Sequence, residues 1–162
     1  METTHYTTMA SPLGELQLVA GPRGLTRIVF PDDRQPVYPQ AHWKPADRVV
    51  RTAERQLTEY FAGDREEFDL PLDPNGTPFQ MRVWRALLQI PYGETVSYGE
   101  LARRIGRPKA QRAVGAANGS NPLPIIVPCH RVIGSNGSLT GYGGGLDIKR
   151  HLLDIESAAV AC

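Results

Sequence analysis

The chain has 162 residues, 41% hydrophobic and 22% charged; that supports a core and one ordinary domain or two small ones, and it excludes a wholly disordered chain. Its 16 glycines and 14 prolines argue against a plain helical bundle, and its two cysteines, Cys129 and Cys162, exclude a disulfide scaffold or a four-thiolate metal site. The net charge of +1 hides an asymmetry, because Met1–Pro78 holds 8 Lys/Arg against 12 Asp/Glu while Phe79–Cys162 holds 10 against 5.

Residues Met1–Leu16 lack the basic start and apolar run of a secretory signal, and the longest apolar stretch, around Pro122–Pro128, is too short to cross a bilayer. A soluble, cytoplasmic protein is expected. His5–Ala10, Gly14–Ala20 and Gly24–Phe30 read as short strands of an antiparallel meander, separated by Ser11-Pro12 and by Gly21-Pro22-Arg23-Gly24. Pro31–Pro45 reads as an irregular connection. Val49, Ala53, Gln56, Leu57, Tyr60 and Phe61 fall at helical spacing, with Gly63 as the stop. Asp69–Pro78, with three prolines and Asn75-Gly76, is expected to link two units.

The second unit opens on Thr77-Pro78-Phe79-Gln80, a capping box with proline at the first helical position. Phe79, Val83, Ala86, Leu87 and Ile90 form an apolar stripe, and Ile90-Pro91-Tyr92-Gly93 ends it. Ser97-Tyr98-Gly99-Glu100 reads as a second capping box, opening a short helix that ends at Gly106. A third helix is expected from about Lys109 to Gly119. A last one is expected to be capped by Asp147, with Ile148, Leu152 and Ile155 inward. The expected fold is therefore α+β. A small antiparallel sheet with a helix, residues 1–76, precedes a mainly helical domain, residues 77–162, that contains a helix-turn-helix.

No Asp or Glu occurs between Leu101 and Leu146, whereas Arg103, Arg104, Arg107, Lys109, Arg112 and Arg131 do. Such a run marks a surface for a polyanion or a merely solvated basic face. The second helix of the pair, Ala110-Gln111-Arg112-Ala113-Val114-Gly115-Ala116-Ala117-Asn118-Gly119, is made mostly of small residues with one long base. A major-groove reader needs several long polar side chains, so this narrow profile suits close backbone approach or the minor groove, or tight packing on a neighbour. In Asn121-Pro122-Leu123-Pro124-Ile125-Ile126-Val127-Pro128-Cys129-His130-Arg131-Val132, a cysteine follows an apolar run with a histidine beside it. That pairs a nucleophile with a base, or else is a buried inert thiol beside a surface imidazole.

Pro128-Cys129-His130-Arg131-Val132 resembles the active-site motif of the O6-alkylguanine-DNA alkyltransferases, the methylated-DNA–protein-cysteine methyltransferases. Ile90-Pro91-Tyr92-Gly93-Glu94, Arg112-Ala113-Val114-Gly115, Asn121-Pro122 and Gly141-Tyr142-Gly143-Gly144-Gly145 extend the resemblance over Phe79–Glu156. The resemblance implies direct repair of double-stranded DNA carrying O6-alkylguanine, with O4-alkylthymine as a second candidate substrate. Cys129 would take the alkyl group irreversibly, in a single turnover, after the nucleotide is flipped from the minor-groove side. His130 would deprotonate it through a water, Glu156 would orient His130, and Asn121 would hold the turn. Tyr98 would donate toward N3 of the flipped base, and Val132, Tyr142 and Gly143 would line its pocket. Arg112 would fill the vacated stack, with Ala113, Gly115 and Ala116 against the DNA.

No cofactor and no metal are implied. The N-terminal zinc site of some relatives needs a cysteine that this chain lacks before Cys129, and Gly143 stands where relatives often have a serine. No obligate protein partner is expected; a monomer is, with cooperative assembly on DNA left open. The contrasting readings are a non-enzymatic helix-turn-helix regulator, which would not depend on Cys129, and a cysteine hydrolase, which would turn over repeatedly and gives no reason for the basic helices.

Overall fold

The computed structural model describes residues 3–31, 39–137 and 145–161, with side chains in the last segment described as far as Ser157. The chain divides into two compact units, Met1–Asn75 and Gly76–Cys162.

In the first unit, β1 (His5–Met9), β2 (Leu16–Gly21) and β3 (Gly24–Val29) form an antiparallel sheet in that order. Leu16, Leu18, Val19 and Ala20 of β2 are buried. A register shift lies between Val19 and Ala20, the local irregularity that lets neighbouring residues both face the core. Gly24 follows the tight turn with φ +151°, and a side chain there would meet the Pro71 carbonyl at 2.7 Å. That close approach has a purpose: Leu25 N–H donates to Pro71 O at 2.9 Å and Asp73 N–H to Leu25 O at 2.8 Å. Much of the stretch expected to link the units is thus bonded along β3. Likewise, Lys44, in the connection expected to be irregular, bridges to His5. Helix α1 (Arg48–Phe61) is capped by Asp47, whose side chain accepts from Val50 N–H, and buries Val50, Ala53, Gln56, Leu57 and Tyr60. The amide of Gln56 both donates to and accepts from the Asp69 main chain, at 2.9 Å each way, so its burial leaves neither end unpaired.

The second unit contains α2 (Pro78–Leu87), β4 (Val96–Ser97), α3 (Tyr98–Arg104), α4 (Gln111–Gly119), β5 (Val132–Ile133) and α5 (Leu146–Ala161). The Thr77/Gln80 capping box forms in both directions. At Ser97 only half of the expected box forms. Its hydroxyl accepts from Glu100 N–H, but the Glu100 carboxylate turns outward to Arg103 and Arg104. Those two bases precede the tight Gly106 turn, and pairing with Glu100 competes successfully with reaching back to the cap. Helix α2 packs on α4 and α3, and Trp84 Nε1 donates to Ala117 O at 2.8 Å, a buried bond that fixes α4. Helix α4 starts at Gln111, two residues later than expected, with no side-chain cap.

The last helix differs most from expectation. It begins at Leu146 with Asp147 inside its first turn rather than capping it. Its inward face is rotated from Ile148, Leu152 and Ile155 to Lys149, Leu152 and Glu156, which are all buried, while Ile148 and Ile155 are half-buried. The rotation brings two charged groups inside because each finds a partner there.

Candidate active site

Cys129–Arg131 form one turn of 3-10 helix after Pro128, and Cys129, His130 and Arg131 are all buried. The strap leading into that turn is held by Asn121. Its Oδ1 accepts from Leu123 N–H at 2.9 Å and its Nδ2 donates to Val127 O at 2.7 Å. Between those anchors Ile125 sits at φ 76°, a left-handed conformation that a β-branched residue adopts only when its surroundings impose it. Bonds at both ends and burial of Leu123, Ile125, Ile126 and Val127 supply that constraint. The Cys129 carbonyl then accepts from Val132 N–H and, at 3.3 Å, from Nδ2 of Asn118 on α4.

His130 is fully buried, and its Nε2 meets Glu156 Oε2 at 2.6 Å. Burial pushes the imidazole below its ordinary pKa, and the charges of Arg131 and Lys149 add to this against the pull of Glu156. Burial alone would raise the Glu156 carboxyl. Hydrogen bonds from His130 and Arg131, with their charge, overcome this and hold it at about 2. The neutral imidazole therefore donates from Nε2 to an ionised carboxylate. Its other nitrogen, Nδ1, is unprotonated, buried and without a protein hydrogen-bond partner.

Arg131 belongs to this assembly and not to the basic surface in which its charge first placed it. Its Nε and Nη2 donate to the two Glu156 oxygens at 2.8 and 3.0 Å, and its Nη1 donates to the Ile90 carbonyl at 2.7 Å. Its guanidinium also lies 5.6 Å from the centre of the Tyr92 ring. The second buried cation, Lys149, donates to the Val132 carbonyl at 2.6 Å and lies 5.9 Å from the centre of the Tyr98 ring. Burial pushes its ammonium down, and the charge of Cys129 works in the opposite direction. Neither Lys149 nor Asn118 stands out in the sequence, where one falls in a helix of mixed polarity and the other in a run of small residues. The one available signal is spacing: Lys149, Leu152 and Glu156 lie at i, i+3 and i+7, the same face of a helix.

Tyr98 is half-buried at the start of α3, and its ring faces Gly115, where a side chain would touch it at 3.8 Å. Val132 is buried, and its carbonyl already accepts from Lys149 Nζ at 2.6 Å. Tyr142 and Gly143 lie outside the described residues. On α4, Arg112, Ala113 and Ala116 are exposed and Gly115 is half-buried, while Val114, Ala117 and Asn118 face inward. The helix thus offers one long cation on an otherwise low surface. Exposed Arg103 and Arg104 share Glu100, which their hydrogen bonds hold below the usual carboxylate range, so part of the basic run is already neutralised.

A thiol, a neutral imidazole with one open nitrogen and a fixed carboxylate form a proton-accepting array around Cys129. Among the described residues no group of three or more His, Cys, Asp or Glu side chains could hold a metal ion.

Comparison with known proteins agrees with this chemistry. Residues 78–158 match the family described as "6-O-methylguanine DNA methyltransferase, DNA binding domain", and residues 4–74 match its "ribonuclease-like domain". The methylated-DNA–protein-cysteine methyltransferase of Mycobacterium tuberculosis is 54% identical over 155 residues, covering 95% of this chain and 93% of that one. The Methanosarcina acetivorans protein of the same name is 50% identical over 154 residues, covering 95% and 99%. The crystal structure of Mycobacterium tuberculosis OGT in complex with DNA superposes with a TM-score of 0.87 at 53% identity, over 96% of this chain and 94% of that chain. The chain belongs to the methylated-DNA–protein-cysteine methyltransferase family, enzymes of DNA repair that move an alkyl group from methylated DNA to a protein cysteine.

Proposed function

We propose that Cys129 is the alkyl acceptor and that the substrate is O6-alkylguanine in double-stranded DNA, with O4-alkylthymine as a second candidate. The observation that carries this reading is the buried Cys129–His130 turn, in which His130 Nε2 is held by Glu156 Oε2 at 2.6 Å while its Nδ1 has no protein hydrogen-bond partner. His130 Nδ1 takes the thiol proton through a bridging water while Nε2 stays bonded to the Glu156 carboxylate. The thiolate attacks the alkyl carbon, a carbon–sulfur bond forms and the carbon–O6 bond breaks. The electron pair leaves with guanine, and Tyr98 stabilises it by donating toward N3. Val132 lines the base pocket; Tyr142 and Gly143, to which the resemblance gives the same role, lie outside the described residues.

A thiolate cannot reach O6 inside the duplex, so the nucleotide is flipped out, at a cost of a few kcal/mol that is smaller for a damaged pair. Exposed Arg112 enters the stack from the minor-groove side, and the low surface of Ala113, Gly115 and Ala116 lets the backbone of α4 approach. Since a thioether is stable and no group beside Cys129 among the described residues would cleave it, each molecule acts once. The protein works in the cytoplasm as a monomer, without a cofactor.

Intact-protein mass spectrometry after reaction with duplex DNA carrying one O6-methylguanine tests this reading. The expected result is one added methyl per protein, mapped to the Cys129 peptide and absent in Cys129→Ser. Binding without any mass gain would overturn it in favour of a DNA-binding regulator.

A further inference from the structure

Two buried polar atoms beside the Cys129 turn have no protein hydrogen-bond partner: His130 Nδ1 and Asn118 Oδ1. Buried polar groups are nearly always satisfied, so two orphans on residues tied to one turn, His130 within it and Asn118 bonded to its Cys129 carbonyl, call for an explanation. The orientation of Asn118 is decided by its other end. Its Nδ2 donates to the Cys129 carbonyl, and a carbonyl cannot donate in return, so the remaining atom must be the amide oxygen, a pure acceptor. Asn118 is 1% exposed and His130 0%, so bulk solvent satisfies neither.

The relay proposed above needs a water between Cys129 and His130 Nδ1. As the thiol proton passes to that water, the water passes one of its own protons to Nδ1, which leaves a thiolate, an imidazolium and an intact water. Its second hydrogen takes no part and needs an acceptor, because a buried water is stable only with two to four polar partners. We infer that Asn118 Oδ1 is that acceptor, which makes Asn118 a positioning residue of the proton relay. It rests on the relay reading. The side chain comes from the inward face of α4, the helix whose outer face carries Arg112, so one residue connects the proposed DNA-seating helix to the geometry of proton transfer.

The test compares Asn118→Leu and Asn118→Thr with wild type and with His130→Gln. Two readings are taken across pH: single-turnover transfer from free O6-benzylguanine, and alkylation of Cys129 by iodoacetamide, which reports thiolate. Leucine has nearly the shape of asparagine but no acceptor, whereas threonine loses the amide donor to Cys129 and keeps an acceptor oxygen. Asn118→Leu is expected to slow transfer by about tenfold, a modest share of the usual benefit of acid–base catalysis. It should also move the midpoint of both profiles to higher pH. Asn118→Thr, which also covers the case in which the leucine variant fails to fold, is expected to keep the wild-type midpoint.

A wild-type midpoint for Asn118→Leu, or the same upward shift in Asn118→Thr, would overturn the acceptor role. If His130→Gln titrates like wild type, the relay itself fails. If His130→Gln shifts while Asn118→Leu does not, only the role of Asn118 fails.

Discussion

Arg131 grips both carboxylate oxygens of Glu156, at 2.8 and 3.0 Å, and shares one of them with His130, which lies 2.6 Å from the same atom. Consecutive residues of one turn thus converge on a carboxylate that arrives from α5. The guanidinium neutralises Glu156 and leaves the imidazole uncharged, so the Arg131–Glu156–His130 group carries no net charge, and the second buried cation, Lys149, is the one that interacts with Cys129. Its remaining arm, on the Ile90 carbonyl, ties the segment that follows α2 to the same point.

Removing Arg131 strands a buried carboxylate. Arg131→Met is expected to destabilise the protein by about 3–5 kcal/mol, the usual cost of breaking a buried pair from one side. Adding Glu156→Gln should restore part of that loss, since no charge is then left unpaired. Urea unfolding of the two single variants and the double variant measures the coupling; strict additivity would contradict it.

Acid should weaken the fold in two stages. The His130 imidazole is held below its ordinary value of 6.5, so the unfolded chain binds that proton first as the pH falls past 6.5. The Glu156 carboxyl, ordinarily near 4.5, is held at about 2, so from 4.5 downward the unfolded chain again binds more protons than the folded one. The contribution of these two groups is therefore complete above 6.5, declines below it and declines again between 4.5 and 2. Thermal unfolding across this range, with Glu156→Gln lacking the lower stage, checks the assignment.

Lys149→Met keeps the packing of the stem and removes the ammonium that interacts with the Cys129 charge. Alkyl transfer at neutral pH is expected to fall by tenfold or more, on the order of one lost charge interaction in a partly dehydrated site. Raising the pH should recover part of the rate by forming thiolate without help. A rate loss that is the same at every pH would argue that the lysine serves only packing.

Asn121→Ala removes both bonds that brace the strap around Ile125. The two together are expected to contribute about 1–3 kcal/mol to stability. Hydrogen exchange at Leu123 and Val127 should rise in this variant, and transfer should slow with Cys129 still present. Unchanged exchange would mean that burial of the strap suffices.

Arg112→Ala is expected to slow repair of alkylated duplex DNA by about tenfold or more, the scale set by the cost of nucleotide flipping. Transfer from free O6-benzylguanine should be unaffected. Equal losses on both substrates would remove the stack-filling role. Tyr98→Phe should behave oppositely, slowing both reactions with DNA affinity retained.

Local physics accounts for what was legible in the sequence. The three strands, the helix read from Val49 to Phe61 with its stop at Gly63, and the Thr77 cap rest on alternation, periodicity and capping that involve only near neighbours, and the structure shows each of them. The Cys129–His130 pair was legible because it is contiguous, and Glu156 because a family resemblance supplied its spacing. Where long-range partners decide, local rules failed. Glu100 left the Ser97 cap for Arg103 and Arg104, and the Asp69–Pro78 stretch, which holds the boundary between the two units, also pairs at Leu72 with Leu25.

By itself the sequence determined a sheet-plus-helix unit, a helix-turn-helix with one long cation on a low surface, and a nucleophile beside a base. Tertiary structure decided which charges go inside. Burying Arg131, Lys149 and Glu156 is costly for any of them alone and is tolerated only because each meets a partner from a distant element: Glu156 and the Ile90 carbonyl for Arg131, the Val132 carbonyl for Lys149. Those partners lie 17 to 41 residues away along the chain, beyond the reach of any helical or strand period. The same holds for Asn118, whose place against Cys129 depends on the packing of α4 on α2.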